Sequence, residues 1–173
     1  NGIAIAVLEL KKSAVTVGDG IRQCISAQKG IFIDGFFSTI QFCLAGNDSE
    51  GLRYGTTKTP EKYYLEWKAD GYDGFQDERD PIDAAIEAEA DLQTSPLDKA
   101  LVWMFTKARA LDLIENFIIF DGGVKKVCRY NQFYGIKRAQ NRLKKHQGGI
   151  VWHTQGSGKT ALSAYANRVV KDF

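Results

Sequence analysis

Histidine and cysteine are scarce in this 173-residue sequence: two histidines and three cysteines. His146 and His153 are too few and too scattered for a metal cluster of their own. Cys24, Cys43 and Cys128 are odd in number, widely spaced and without a C-x-x-C pair, which argues against a disulfide framework and a zinc ribbon. Buried thiols in a reducing, cytosolic compartment are the expectation. No run of about 18 apolar residues occurs, so no membrane-spanning helix is expected, and no secretory signal pattern opens the chain. The first residue is Asn and the last lie within an expected helix. The expected reading is a piece of a longer chain cut at both ends.

What is present is ordinary in bulk and uneven in distribution. Apolar residues make up 44% and charged residues 25%, values of a common globular protein. Net charge is +2, yet the signs are segregated. Between residues 68 and 98 stand ten acids and two bases, and between 121 and 173 eleven bases and two acids. A basic C-terminal part suits a polyanion, nucleotide or nucleic acid, although a solvated helix face has the same composition.

The most informative stretch is Val151-Trp152-His153-Thr154-Gln155-Gly156-Ser157-Gly158-Lys159-Thr160. Gly149 to Trp152 is expected to be a short buried strand. A glycine turn follows, and Lys159-Thr160 opens a helix with apolar positions Leu162, Tyr165, Val169 and Val170. Strand, glycine loop, Lys-Thr and helix together read as a phosphate-binding loop. Its glycines let backbone N–H groups turn inward, and the helix N-terminus favours an anion. Lys159 can reach β- and γ-phosphates, and the Thr160 hydroxyl can ligate Mg²⁺. The strict pattern G-x-x-x-x-G-K-[ST] has Gly where this chain has His153; the bland alternative is a turn that binds nothing.

A second candidate lies near the start. Ile3 to Leu10 reads as a largely buried strand, and its period of two places Glu9 and Lys11 on one face. Such an E-x-K pair suits Mg²⁺-dependent phosphodiester hydrolysis: Glu9 as metal ligand, Lys11 steadying the attacking water or the developing negative charge. The partner Asp of such a site is expected on a preceding strand. Glu66-Trp67-Lys68 is a rival copy, with Asp48 ahead of it, and either copy could be a surface ion pair.

Between these sites the expected elements are a helix from Gly20 to Ile33 capped by Asp19, strands over Phe36–Ala45, Leu52–Thr57 and Lys62–Trp67, and an acidic surface insertion over 69–95, helical from Asp83 to Asp91. Ser95 and Pro96 start another helix, with Leu97, Leu101, Met104 and Phe105 on one face. Helical periodicity continues over Leu111–Phe120 to Asp121-Gly122-Gly123. Trp103 and Phe105 read as core. A strand over Lys125–Cys128 and a helix from about Arg129 to His146 follow.

Several blocks then agree with one family. Asn1 to Lys11, Gly18-Asp-Gly-Ile-Arg-Gln23 and Ala45-Gly-Asn-Asp-Ser-Glu-Gly-Leu-Arg-Tyr-Gly55 resemble the nuclease domain of type I restriction enzyme motor subunits. Leu113 to Phe120 is similar to their connector, and Arg129-Tyr-Asn-Gln132 with Gly148 to Thr160 resembles the start of their superfamily 2 translocase; His153 is usual there. The resemblance implies an α/β chain: a PD-(D/E)xK-type mixed-sheet nuclease domain, truncated at its N-terminus, over 1–95, a helical connector over 96–124, and the first segment of a RecA-like ATPase over 125–173. It favours Glu9 and Lys11 over the rival pair and adds Gln23 as a catalytic residue. The Q-x-x-x-Y motif of many members is broken here, because Ala27 stands where Tyr is usual. It adds Arg129 and Gln132 to the nucleotide set of Thr154, Gln155, Gly156, Ser157, Gly158, Lys159 and Thr160, with the Gln132 amide reading the adenine edge. Implied cofactors are ATP and Mg²⁺. Implied partners are double-stranded DNA and the methylation and specificity subunits, in a bacterial or archaeal cytoplasm. The piece alone is expected to be inactive. The alternative is a superfamily 2 helicase or translocase with a non-catalytic DNA-binding N-terminal domain.

Overall fold

The computed structural model describes residues 2–29, 33–68 and 81–170. Strand β1 (Ala6–Leu10) leads into helix α1 (Val17–Ala27), a 3-10 turn (Asp34–Ser38), and strands β2 (Phe42–Asn47) and β3 (Gly51–Gly55). Helices α2 (Pro81–Ala90), α3 (Pro96–Phe105) and α4 (Lys107–Asn116) follow, then hairpin β4 (Ile118–Asp121) and β5 (Val124–Val127), and helices α5 (Tyr130–Lys144) and α6 (Lys159–Val169). The architecture is therefore mixed α/β. β2 is the centre of a three-stranded sheet, parallel to β1 and antiparallel to β3, with Glu9 opposite Ala45 and Ala45 opposite Arg53.

Every residue of β2 is buried, as a central strand flanked on both edges requires. β1 lies at an edge among the described residues and is only half-buried, which corrects the expectation of a buried strand. The helix expected from Gly20 starts three residues earlier, because Thr16, not Asp19, is the N-cap: its hydroxyl accepts from the Asp19 N–H. It ends at Ala27; Ile31 and Phe32 lie outside the described residues. The strand expected from Phe36 begins at Phe42, after the 3-10 turn. Of the strand expected over Lys62–Trp67, Glu61–Tyr63 is a 3-10 turn and Leu65 alone bridges Tyr54. Ser95 does cap α3 ahead of Pro96. Helical pattern gives way to strand at Ile118, since Phe117 closes α4 and Asp121-Gly122-Gly123, with both glycines at positive φ, turns the hairpin.

The principal core runs from the first sheet to the last helix. Phe42, Leu44, Leu52, Tyr54 and Trp67 meet Trp103, Met104 and Leu113, and these meet Phe117, Phe133, Tyr134, Tyr165 and Val169. The Tyr54 hydroxyl donates to the Cys128 carbonyl at 3.0 Å, joining β3 to the end of β5 inside that core. Cys24, Cys43 and Cys128 are all buried free thiols. No described helix is long and apolar enough to cross a membrane.

At the centre stands Arg109, 3% exposed, whose guanidinium pairs with buried Asp83. Its carbon lies 4.6 Å from the Phe133 ring centre, 5.6 Å from Tyr134, 5.7 Å from Trp67 and 5.9 Å from Trp103. One cation thus binds four rings from three parts of the chain. The 69–95 segment was expected to be a surface insertion; residues 69–80 lie outside the described residues, but Asp83, Ile86 and Ala90 of α2 are buried. An isolated buried charge is costly, and removing one partner leaves the other uncompensated. Arg109→Met is therefore expected to cost roughly 3–5 kcal/mol in urea unfolding, and Arg109→Met with Asp83→Leu distinctly less. A double variant as unstable as the single one would contradict this.

Candidate functional site

The first candidate site is built where α1 crosses the end of β1. The Lys11 N–H donates to the Gly46 carbonyl at 3.0 Å, so the ladder with β2 continues past the last strand residue and fixes Lys11. Pleating then leaves Glu9 and Lys11 on one face. The Lys11 ammonium donates to Glu9 Oε1 at 3.0 Å and to Gln23 Oε1. The Glu9 and Lys11 side chains are 25% and 18% exposed, enough to be reached from solvent. Three groups named from the sequence, one on β1, one just past its end and one on a helix twelve positions on, therefore converge.

The approach to α1 is held by the turn after β2. Buried Asn47 donates to the Val15 carbonyl at 2.8 Å and accepts from the Glu50 N–H at 2.6 Å. Glu50 Oε1 accepts from the Val17 N–H at 3.1 Å, satisfying an open donor at the start of α1. The Ala45-to-Gly55 block thus acts by placing the helix that carries Gln23. The rival pair is not assembled in this way: Glu66 faces Arg53 at 3.6 Å, half-exposed, and Trp67 between Glu66 and Lys68 is in the core.

Glu9 is the carboxylate that the Lys11 ammonium pairs with here. Among the described residues, no three His, Cys, Asp or Glu side chains are grouped to hold a metal ion. A single carboxylate, with an ammonium and an amide beside it, orients a phosphate or a water but does not complete a divalent-ion site.

The second candidate is the glycine loop. Gly156 and Gly158 have φ of +78° and +84°, and Gly158 is the left-handed residue that starts α6 at Lys159. Gln132, 4% exposed, accepts from the Arg129 N–H at 2.8 Å and donates to the Ser157 carbonyl at 3.3 Å and the Gly158 carbonyl at 2.9 Å. Both ends of the amide expected to read adenine are thus engaged within the chain, one capping α5 and the other holding the loop. The Lys159 ammonium folds back onto the His153 and Thr154 carbonyls, at 3.1 and 2.9 Å. Thr154, Gln155, Gly156 and Thr160 are exposed, and the Ser157 hydroxyl is buried without a hydrogen-bond partner. Arg129, Gln132 and Gly158 line a cleft of about 640 Å³ that also receives Lys58, Lys62 and Lys125.

The strand expected over Gly149–Trp152 does not form. Ile150 and Trp152 are 92% and 88% exposed. A strand is closed by its neighbours, and among the described residues none runs beside this segment.

Residues 1–62 match the family described as type I restriction enzyme R protein N terminus, and residues 131–172 match the SWI2/SNF2 ATPase family. The chain is 28% identical, over 99% of its length, to the MjaIXP type I restriction enzyme endonuclease subunit of Methanocaldococcus jannaschii, of which it covers 18%. Residues 1–62 are thus similar to the N-terminal part of type I restriction enzyme R proteins. The MjaVIIIP endonuclease subunit of the same organism is 36% identical over 34% of the chain and 7% of that protein. The HindI endonuclease subunit of Haemophilus influenzae is 33% identical over 35% of the chain and 7% of that protein. The chain thus spans less than a fifth of the length of these relatives.

Gly20 is a site residue that pattern reading passed over. A Cβ there would lie 3.1 Å from the Ala45 Cβ and 3.3 Å from the Lys11 Cγ, so glycine lets α1 close on the strand. Two glycines inside one helix, Gly18 and Gly20, were the available signal. At Gly18 a Cβ would meet the tips of Arg22 and Glu61, which can move, and the Thr16 hydroxyl at an ordinary contact distance of 3.6 Å. Gly20→Val is expected to lose about 1–3 kcal/mol through overpacking, and Gly18→Ala to be neutral or stabilising by up to about 1 kcal/mol. Equal effects in denaturant titrations would contradict the close approach at Gly20.

Proposed function

We propose that this chain carries part of the nuclease site and the nucleotide-binding loop of a type I restriction enzyme R subunit. In this reading, DNA cleavage is Mg²⁺-dependent and coupled to ATP-driven translocation along double-stranded DNA. The observation that carries it is the convergence of Glu9, Lys11 and Gln23 at the end of β1, in a chain whose other end resembles an ATPase. The relatives are named as endonuclease subunits of type I restriction enzymes, which supports the nuclease half.

In this proposal the first site is of PD-(D/E)xK type and spans residues 1–95, with 96–124 as connector and 125–173 as the start of a RecA-like domain. Glu9 would ligate Mg²⁺ together with a second carboxylate from outside the described residues. Lys11, already shared between a carboxylate and an amide, would place its charge where negative charge develops on the phosphate. Gln23 would keep Lys11 from closing wholly onto Glu9. In the loop, Gly156 to Gly158 would present N–H groups to phosphates at the start of α6, Lys159 would leave its carbonyl contacts to bind them, and Thr160 would hold Mg²⁺. Arg129 lines the same cleft as Gln132 and would meet the base or ribose there. Bound ATP and Mg²⁺ supply the phosphoanhydride and its charge neutralisation. The implied partners are DNA and the methylation and specificity subunits, in a bacterial or archaeal cytoplasm.

A second reading has a specific observation behind it: Glu9 is paired with Lys11, and no group of three ligating side chains stands among the described residues, which suits a structural ion pair in a DNA-binding module of a helicase. The intact protein separates the two. Glu9→Ala is expected to abolish DNA cleavage with ATP hydrolysis retained, whereas cleavage that survives favours the structural pair. Lys159→Ala is expected to weaken nucleotide binding by at least about 100-fold, equivalent to 2.7 kcal/mol, in fluorescent-nucleotide titrations. Unchanged binding would remove the phosphate assignment.

A further inference from the structure

Gly135 sits in the middle of α5, where glycine costs about 1 kcal/mol relative to alanine and needs a reason. The structure supplies one. A Cβ at Gly135 would stand 3.1 Å from His153 Nε2, 3.6 Å from His153 Cε1 and 3.8 Å from Val151 Cγ1. The segment entering the glycine loop therefore lies directly on the helix backbone. Gln132, one turn earlier on the same helix face, holds the far side of that loop through the Ser157 and Gly158 carbonyls. A Cβ at Gly158 would meet the Gln132 Nε2 at 2.5 Å, so this second approach is closer than the first. Phe133 and Tyr134, between the two, face the Arg109 guanidinium in the core. One turn of α5 thus meets the loop on one side and is clamped on the other.

We propose that Gly135 and His153 are a matched pair that seats the phosphate loop on α5, with His153 as a positioning residue that takes the place of the glycine in the strict loop pattern. This rests on the nucleotide-loop reading for its purpose, but the seat itself is a property of the chain. The imidazole gives up water to occupy it. Its Nδ1 is buried without a hydrogen-bond partner, and burial, with the nearby Lys159 charge, holds its pKa below the ordinary histidine value. Below that lowered pKa the ring charges and the seat weakens; above the ordinary value it is fully neutral and seated.

The test uses the full chain, with titration of the His153 imidazole by NMR and amide exchange at Ser157 as readouts. In Gly135→Leu, the His153 ring is expected to leave its seat and titrate near the ordinary value of about 6.5. Ser157 exchange is expected to accelerate by about tenfold, equivalent to 1.4 kcal/mol. Gly135→Ala should show smaller changes of the same sign, even though alanine strengthens the helix itself. Removing the ring in Gly135→Leu with His153→Gly should restore slow exchange, because the added side chain then has room. Unmoved His153 titration in both Gly135 variants, or no restoration in the double variant, would overturn the pairing. A failed Lys159→Ala effect on nucleotide binding would remove the loop's purpose and leave the seat standing, so the two failures are distinguishable.

Discussion

The Arg109–Asp83 ion pair inside its box of aromatic rings is the constraint on which the arrangement depends. A guanidinium can be buried only where a carboxylate and flat electron-rich faces replace its water. Satisfying that demand draws together Asp83 from α2, Trp103 from α3, Trp67 after the first sheet, and Phe133 and Tyr134 on α5 around Arg109 of α4. Each ring brings its own neighbours into a continuous core. Trp67 brings β3 through Tyr54, at a ring distance of 6.1 Å, and Phe133 brings α6 through Phe117, which lies 5.7 Å from Tyr165.

Both candidate sites are placed by elements anchored in that core, while their polar groups stay at its margin. β2 is buried along its length and fixes the end of β1, so Glu9 and Lys11 emerge at a defined edge. At the other end, Tyr165 and Val169 bury the second half of α6, and Arg168 donates to the Ile118 carbonyl at 2.6 Å. The start of the same helix, with Lys159 and Thr160, is left exposed. A rigid rear and an open front suit a loop that must admit a charged ligand.

What could be read in the sequence was what is local. The glycine loop and its helix depend on residues within a few positions of each other, and Ser95-Pro96 marks a helix start on its own. Glu9 and Lys11 follow from a period of two. Gln23 was named only by resemblance, since its meeting with Lys11 needs the crossing of α1 over β1. The strand of Gly149–Trp152 was misread because apolar composition describes a tendency, whereas a strand exists only with a partner alongside. The acidic segment was misread for the opposite reason: Asp83 looks solvated until Arg109, 26 residues away, is known to be buried against it. Gly135 carried a signal, a glycine inside a helix, whose meaning lay 18 positions downstream.

One continuous core carries the elements that place both candidate sites. Native-state hydrogen exchange across a denaturant series tests it most directly, comparing amides of Cys43–Ala45 in β2 with those of Phe133–Ile136 in α5. Both sets are expected to converge on the same opening free energy and the same denaturant dependence, as parts of one cooperative unit. Two separate isotherms, with α5 opening while β2 stays closed, would contradict it and leave the two sites on independently folding parts.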